Sequence, residues 1–244
     1  MEEPGVDIWV RNLRRRDHTL TADEEGAMRS VLSEVIEVPA DQDVVREHDR
    51  QRRSHLLLEG WAGRYVTLSD GRRQIVALHV PGDFVDLHSL PLQVMDHSVA
   101  TFTPCRIALA PHERLRAVTA SQPHVARLLW LSTLIDAAIL RQWLVGSGKR
   151  TALEQTAHLF CELYVRLELT GRAEQGRFAF PLSQSEVADC LGISAVHANR
   201  VFQELRSTET LSWRGRQVEI RNWDALTAIA EFDPTYLNLF DIPR

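Results

Sequence analysis

The period of hydrophobic and polar positions changes along the chain. Over residues 31–111 apolar residues come in short runs cut by turn residues, as in "HLLLEGWAGRYVTLSDGRRQIVALHVPGDFVDL" and "SVATFTPCRIALAP". Such runs predict strands. Asp70-Gly71 between "YVTLS" and "RRQIVALHV" predicts a hairpin, and Pro81-Gly82-Asp83 predicts a tight turn. Several strands at short intervals imply an antiparallel roll or small barrel. Residues 1–30 read as partly helical, with Thr21 capping an acidic first turn.

From Pro123 the pattern becomes helical. "PHVARLLWLSTLIDAAILRQWLV" is apolar almost all round, and Leu128, Leu131, Ile135, Ala138, Gln142 and Val145 alternate at three and four residues. A helix this apolar needs cover on two sides: its own roll on one, and most simply a second copy of itself on the other, in a two-fold dimer. "GSGK" at residues 146–149 predicts a short flexible break, and "KRTALEQTAHLFCELYVRLEL" a further amphipathic helix.

"LSQSEVADCLGISAVHANRVFQELR", residues 182–206, reads as two helices hinged at Gly192. Ser183 with Glu186 forms a capping box for the first helix and Ser194 caps the second. This is the helix-turn-helix pattern. The second helix buries Ala198, Val201, Phe202 and Leu205, so Val196, Asn199, Arg200 and Gln203 face outward. Arginine can pair with guanine, asparagine or glutamine with adenine, and a small apolar side chain can touch a thymine methyl, so this face can read a major groove. "TLSWRGRQVEI" adds a hairpin tipped by Arg214-Gly215-Arg216, a wing. The expected fold is α+β: an N-terminal antiparallel β-roll, a long dimerisation helix and a C-terminal winged helix-turn-helix. The corresponding domains are residues 1–120, 121–147 and 148–244.

The 244 residues suffice for two domains, and 44% hydrophobic with 25% charged residues is an ordinary globular composition. No run approaches the roughly 18 uninterrupted apolar residues of a membrane span, and "MEEPGVDIWV" has no signal-peptide pattern, so a cytoplasmic protein with no membrane partner is expected. Cys105, Cys161 and Cys190 are too widely spaced for a disulfide framework or a CxxC site, and read as buried thiols. The net charge of −5 does not argue against DNA, because Arg200, Arg206, Arg214, Arg216 and Arg221 crowd the reading unit.

This order of parts resembles the Crp/Fnr family of bacterial transcription regulators over essentially the whole chain. The stretches that carry the likeness are residues 182–206, the "WRGRQVEI" wing, and "VALHVPGDFVDL", which is similar to the family's effector-roll turn. The resemblance implies a homodimer on a palindromic stretch of double-stranded DNA, with one recognition helix per half-site and contact with RNA polymerase. Half-sites would lie about one helical turn apart. It places base readers at Ala195, Val196, Asn199 and Arg200, and phosphate contacts at Gln184, Ser194, His197, Arg214 and Arg216. Val196 stands where cyclic-AMP-responsive and oxygen-sensing members commonly carry glutamate, so the operator should differ there.

For an effector, the resemblance points to Gly82, Asp83 and Phe84, with Met95 and Asp96 where cyclic-AMP binders carry an Arg-Ser pair. A carboxylate facing a cyclic phosphate is repulsive, so cyclic AMP in the usual pose is not expected. The absence of cysteines before Cys105 argues against the iron–sulfur cluster of the oxygen-sensing branch. An unidentified ligand under Phe84 and Leu87, or no small-molecule effector, remains open, and the cofactor is unknown. His79, His88 and His97 lie nine residues apart, which is no recognised ligand spacing, and no metal is expected. Two other readings compete: a cupin-like metal-dependent enzyme, and a ligand-sensing module without DNA binding. The first would want histidines and a carboxylate clustered on adjacent strands, and no phosphate loop, GxSxG or HExxH is present. The second leaves the capped helix and the wing unexplained.

Overall fold

A computed structural model describes residues 4–92 and 94–243. The chain divides into two compact units: residues 1–66, 78–137 and 237–244 form the first, and residues 67–77 and 138–236 the second. The division falls inside the long helix, not at either of its ends.

Helices α1 (Pro4–Arg14) and α2 (Ala22–Ser30) precede seven strands: β1 (Val35–Val38), β2 (Asp43–Val45), β3 (Arg53–Glu59), β4 (Ala62–Thr67), β5 (Arg73–His79), β6 (Ser98–Thr101) and β7 (Cys105–Pro111), of which β5 falls mostly within residues 67–77 of the second unit. They form two sheets, ordered β1-β7-β3 and β2-β6-β4-β5. The Asp70-Gly71 hairpin between β4 and β5 forms as the sequence predicts, with Gly71 at φ 86°. Leu57, Ile107 and Leu109 point into the roll against Val45, Val85, Met95 and Val99. Alternate residues of the same strands, Leu56, Leu58, Ala108 and Ala110, face the other way into a second core with Trp9, Leu13, Met28 and Leu128. Because side chains alternate across a strand, β3 reads as an unbroken apolar run only because both of its faces are covered.

Helix α2 starts at a full capping box: Thr21 Oγ accepts from the Glu24 amide and the Glu24 carboxylate accepts from the Thr21 amide. His124 ties this region to the long helix, its ring nitrogens 3.0 Å from Asp17 Oδ2 and 2.9 Å from Glu24 Oε1.

After α3 (His112–Ser121), helix α4 runs Pro123–Lys149. It corrects the expected break at residues 146–149, since Gly146 and Gly148 are helical. A glycine in a helix costs about 1 kcal/mol relative to alanine. Tertiary contacts offset that here: Gly146 sits so close to Gln155 that an added Cβ would lie 3.1 Å from its Cγ. The break comes at Arg150, whose guanidinium donates to the Gln142 carbonyl at 3.1 Å and to Gln142 Oε1 at 3.0 Å. By length and by a mean hydropathy of 1.4 over its most apolar stretch, α4 could cross a membrane, though no uninterrupted apolar run reveals this. Its Asp136 is ion-paired with Arg64 of the roll.

The second unit holds α5 (Ala152–Leu169), β8 (Ala173–Glu174), β9 (Arg177–Ala179), α6 (Gln184–Leu191), α7 (Ala195–Ser207), β10 (Leu211–Arg214), β11 (Gln217–Ile220) and α8 (Trp223–Ala230). The sheet order is β10-β11-β9-β8. Phe160, Phe180, Phe202 and Trp213 pack edge to face at its centre. Glu162 is wholly buried, accepting from Arg166 at 3.0 Å, the Tyr236 hydroxyl at 3.0 Å and Trp143 Nε1 at 3.3 Å.

Candidate nucleic-acid interface and sensor region

The two hinge helices form as the capping residues dictate. Ser183 Oγ accepts from the Glu186 amide and Ser194 Oγ from the His197 amide. Gly192 closes α6 at φ 67°, the left-handed region that suits glycine. Ala198, Val201, Phe202 and Leu205 are buried. That burial turns Val196, Asn199, Arg200 and Gln203 outward, and Val196 is 67% exposed, a large apolar side chain held in solvent.

These side chains are not all free. Asn199 Nδ2 donates to Gln184 Oε1 at 3.0 Å, and Asn199 Oδ1 accepts from Gln203 Nε2 at 3.0 Å. Gln184 therefore braces a residue assigned to base reading, a link that sequence spacing across the hinge did not suggest. The arginines also separate. Arg206 donates to the Trp213 carbonyl at 3.0 Å and Arg221 lies 3.6 Å from Glu219. Arg200, Arg214 and Arg216 make no side-chain hydrogen bond or ion pair among the described residues. The wing turns at Gly215 with φ 59°, and Trp213 Nε1 donates to the Gly215 carbonyl at 3.1 Å.

The roll departs further from expectation. The five residues assigned to an effector pocket do different jobs. A Cβ added at Gly82 would sit 2.9 Å from Ile8 and from Asn12 of α1. Phe84 packs edge to face on Trp9, ring centroids 5.2 Å apart, so α1 occupies the place expected for a ligand under Phe84 and Leu87. Asp83 Oδ2 accepts from the Val80 amide at 2.9 Å and closes its own turn. Met95 is core, and Asp96 points outward beside His97.

The histidines, in contrast, come together. His88 and His97 lie with ring centroids 5.0 Å apart and their planes tilted by 43°, and a potential ligand atom from each of His88, Asp96 and His97 lies within 4.8 Å of the others. Nine-residue spacing gave no sign of this; the roll brings the two rings together. Burial, with the nearby Arg64 charge, depresses all three histidines, and His88 falls to about 4.

The dimer stripe is also corrected in part. Leu128 and Leu131 are buried within the chain, Leu128 in the core that the first turns of α4 share with α1. The apolar residues that α4 leaves open are Trp130, 65% exposed, with Leu134, Leu140, Leu144 and Val145. Cys105, Cys161 and Cys190 are free and buried, as expected.

A double-sheet roll, a long helix and an arginine-tipped winged helix-turn-helix define a ligand-sensor-like domain joined to a DNA-binding domain. Comparison with known proteins agrees part by part: residues 35–122 match the family described as cyclic nucleotide-binding domain, and residues 154–229 match the Crp-like helix-turn-helix domain. The chain is 29% identical over 182 residues to the transcriptional activator protein FnrL of Cereibacter sphaeroides, covering 73% of this chain and 72% of that one. It is 27% identical over 175 residues to the nitrogen fixation regulation protein FixK of Bradyrhizobium diazoefficiens, covering 71% and 72%. The solved structure of FixK2 from Bradyrhizobium japonicum superposes with a TM-score of 0.74 at 26% identity, covering 81% of this chain and 96% of that one. The chain belongs to the Crp/Fnr family of transcription regulators and is a DNA-binding regulator, not an enzyme.

Proposed function

We propose that the protein acts in the cytoplasm as a homodimer on a palindromic operator, with α7 of each copy in a major groove. Ala195, Val196, Asn199 and Arg200 read bases, while Gln184, Ser194, His197, Arg214 and Arg216 hold phosphates. RNA polymerase is the protein partner. The observation that carries this reading is the exposed, capped face of α7 with Arg200 uncommitted beside a braced Asn199. The open apolar residues of α4 supply the face for the second copy, with Ile135, Ala138 and Gln142 alongside. The effector differs from cyclic AMP and from an iron–sulfur cluster: Met95 and Asp96 stand where a phosphate-holding pair belongs, and no cysteine precedes Cys105.

Selection from a random DNA library at stated salt tests the reading. An inverted repeat with half-site centres about 10 base pairs apart is the expected result. Enrichment of a single unrepeated site would overturn the symmetric dimer, and retention of specificity by Arg200→Ala would overturn the base-reading assignment.

A further inference from the structure

The roll buries imidazole nitrogens that nothing among the described residues satisfies. Nε2 of His88 and Nε2 of His97 are both inaccessible and lack a hydrogen-bond partner, and His97 as a whole is only 8% exposed. Asp96 Oδ1 lies 2.8 Å from His97 Nδ1. An ionised carboxylate only accepts, so the ring proton sits on Nδ1 and Nε2 presents a bare lone pair. A carboxylate behind an imidazole with its far nitrogen open is the arrangement that orients histidine toward a metal.

We propose that His88 and His97 bind a divalent transition-metal ion of the zinc, nickel or copper class through Nε2, with Asp96 orienting His97 and water completing the coordination. Imidazole suits these ions. Zinc lies about 2.0–2.1 Å from a ligating nitrogen, and one potential ligand atom of each of His88, Asp96 and His97 already lies within 4.8 Å of the others, so side-chain rotation is what brings both imidazoles onto one ion. Burial beside Arg64 also keeps both rings in the neutral form that ligation requires. The surroundings favour a cation over an anion: the His97 Nε2 lone pair and the Asp96 carboxylate can only accept, and Arg64, whose Nη2 has no hydrogen-bond partner among the described residues, is ion-paired with Asp136. His79 has a third unpartnered Nε2 but lies outside the converging set.

The proposal deepens the reading of the roll as a sensor and rests on it for its regulatory part. Arg64 donates through Nε to the Val85 carbonyl at 2.8 Å and pairs with Asp136 on α4. A dication next to that guanidinium changes its hold on the helix, and hence the arrangement of a dimer built along it.

The test uses the full-length chain, stripped by chelator and equilibrated with Zn2+ by dialysis. A single zinc per chain is expected. His88→Ala and His97→Ala should each lower affinity at least tenfold, Asp96→Asn should lower it about 10- to 100-fold, and His48→Ala should leave it unchanged. No stoichiometric zinc, or binding that survives the His88→Ala/His97→Ala double change, overturns the site and leaves internal water as the histidines' partner. Because these variants could fail to fold, Cu2+ electron paramagnetic resonance on the unaltered protein decides independently: coupling to two imidazole nitrogens supports the site, and none overturns it. Operator affinity with and without zinc tests the regulatory part. Bound zinc without an affinity change overturns that part alone, while failure to bind DNA in either condition overturns the DNA-binding reading and leaves the metal result standing.

Discussion

Asn199 Nδ2 donates to Gln184 Oε1 at 3.0 Å, so the first residue of one helix of the hinge fixes the side chain presented by the other. Gln203 holds the opposite oxygen of the same amide. Each bond uses one of the two hydrogens or one of the two lone pairs, and the remaining pair stays available to an adenine edge. Gln184→Ala should therefore relax discrimination at the base Asn199 reads, as well as weakening binding generally. Competition between operators altered at that base checks it. A uniform loss across all of them would reduce Gln184 to a phosphate contact.

The three uncommitted arginines should behave differently from one another. Arg200→Ala should cost about 1–3 kcal/mol on the preferred operator and little on random DNA. Arg214→Ala and Arg216→Ala should weaken both DNAs alike and lower the slope of log affinity against log salt by about 1 each. Binding isotherms at several salt concentrations separate the two patterns.

Trp130→Glu and Leu134→Glu place charges on the open face of α4 without touching either core, since both residues are exposed. Each should turn the proposed dimer into a folded monomer, seen by sedimentation equilibrium, and abolish operator binding with Tm nearly unchanged. A stable dimer in both variants would move the interface elsewhere.

His158 lies flat against Tyr236, ring centroids 5.7 Å apart, and edge-on to Phe232. Burial, and then the Arg150 charge, push it down to about 4. An unfolded histidine titrates near 6.5, so between about pH 6.5 and 4 the unfolded chain takes up a proton that the folded one refuses. The stabilisation is complete above that window and is lost through it on acidification, by roughly 3 kcal/mol. Urea unfolding at pH 7.5 and 4.5 should show the loss, and His158→Phe should reduce it.

What could be read from the sequence was local. The Thr21 cap and the Ser183–Glu186 capping box are contacts three residues apart, and the turns that Asp70-Gly71 and Gly192 make are equally local. The capped helices then fixed which side of α7 faced out. What failed depended on distant partners. The glycines of residues 146–149 stay helical because Gln155 packs on one and Arg150 reaches back to Gln142. Leu128 and Leu131 carry the right period for a seam, but period cannot say whether cover comes from the same chain. The convergence of His88 and His97 is a product of roll topology and has no signature in their spacing.

The outer face of the sheet β1-β7-β3 is covered along β3 and β7: Leu56, Leu58, Ala108 and Ala110 lie in one core with residues of α1, α2 and α4, all of which fall outside the residues 35–122 that match the cyclic nucleotide-binding domain. A fragment trimmed to that match would keep every strand of the roll and lose its outer wall. The bared aliphatic face would drive such a fragment to self-associate and precipitate on expression. A usable piece of the roll has to begin ahead of Val6 and continue through Leu129.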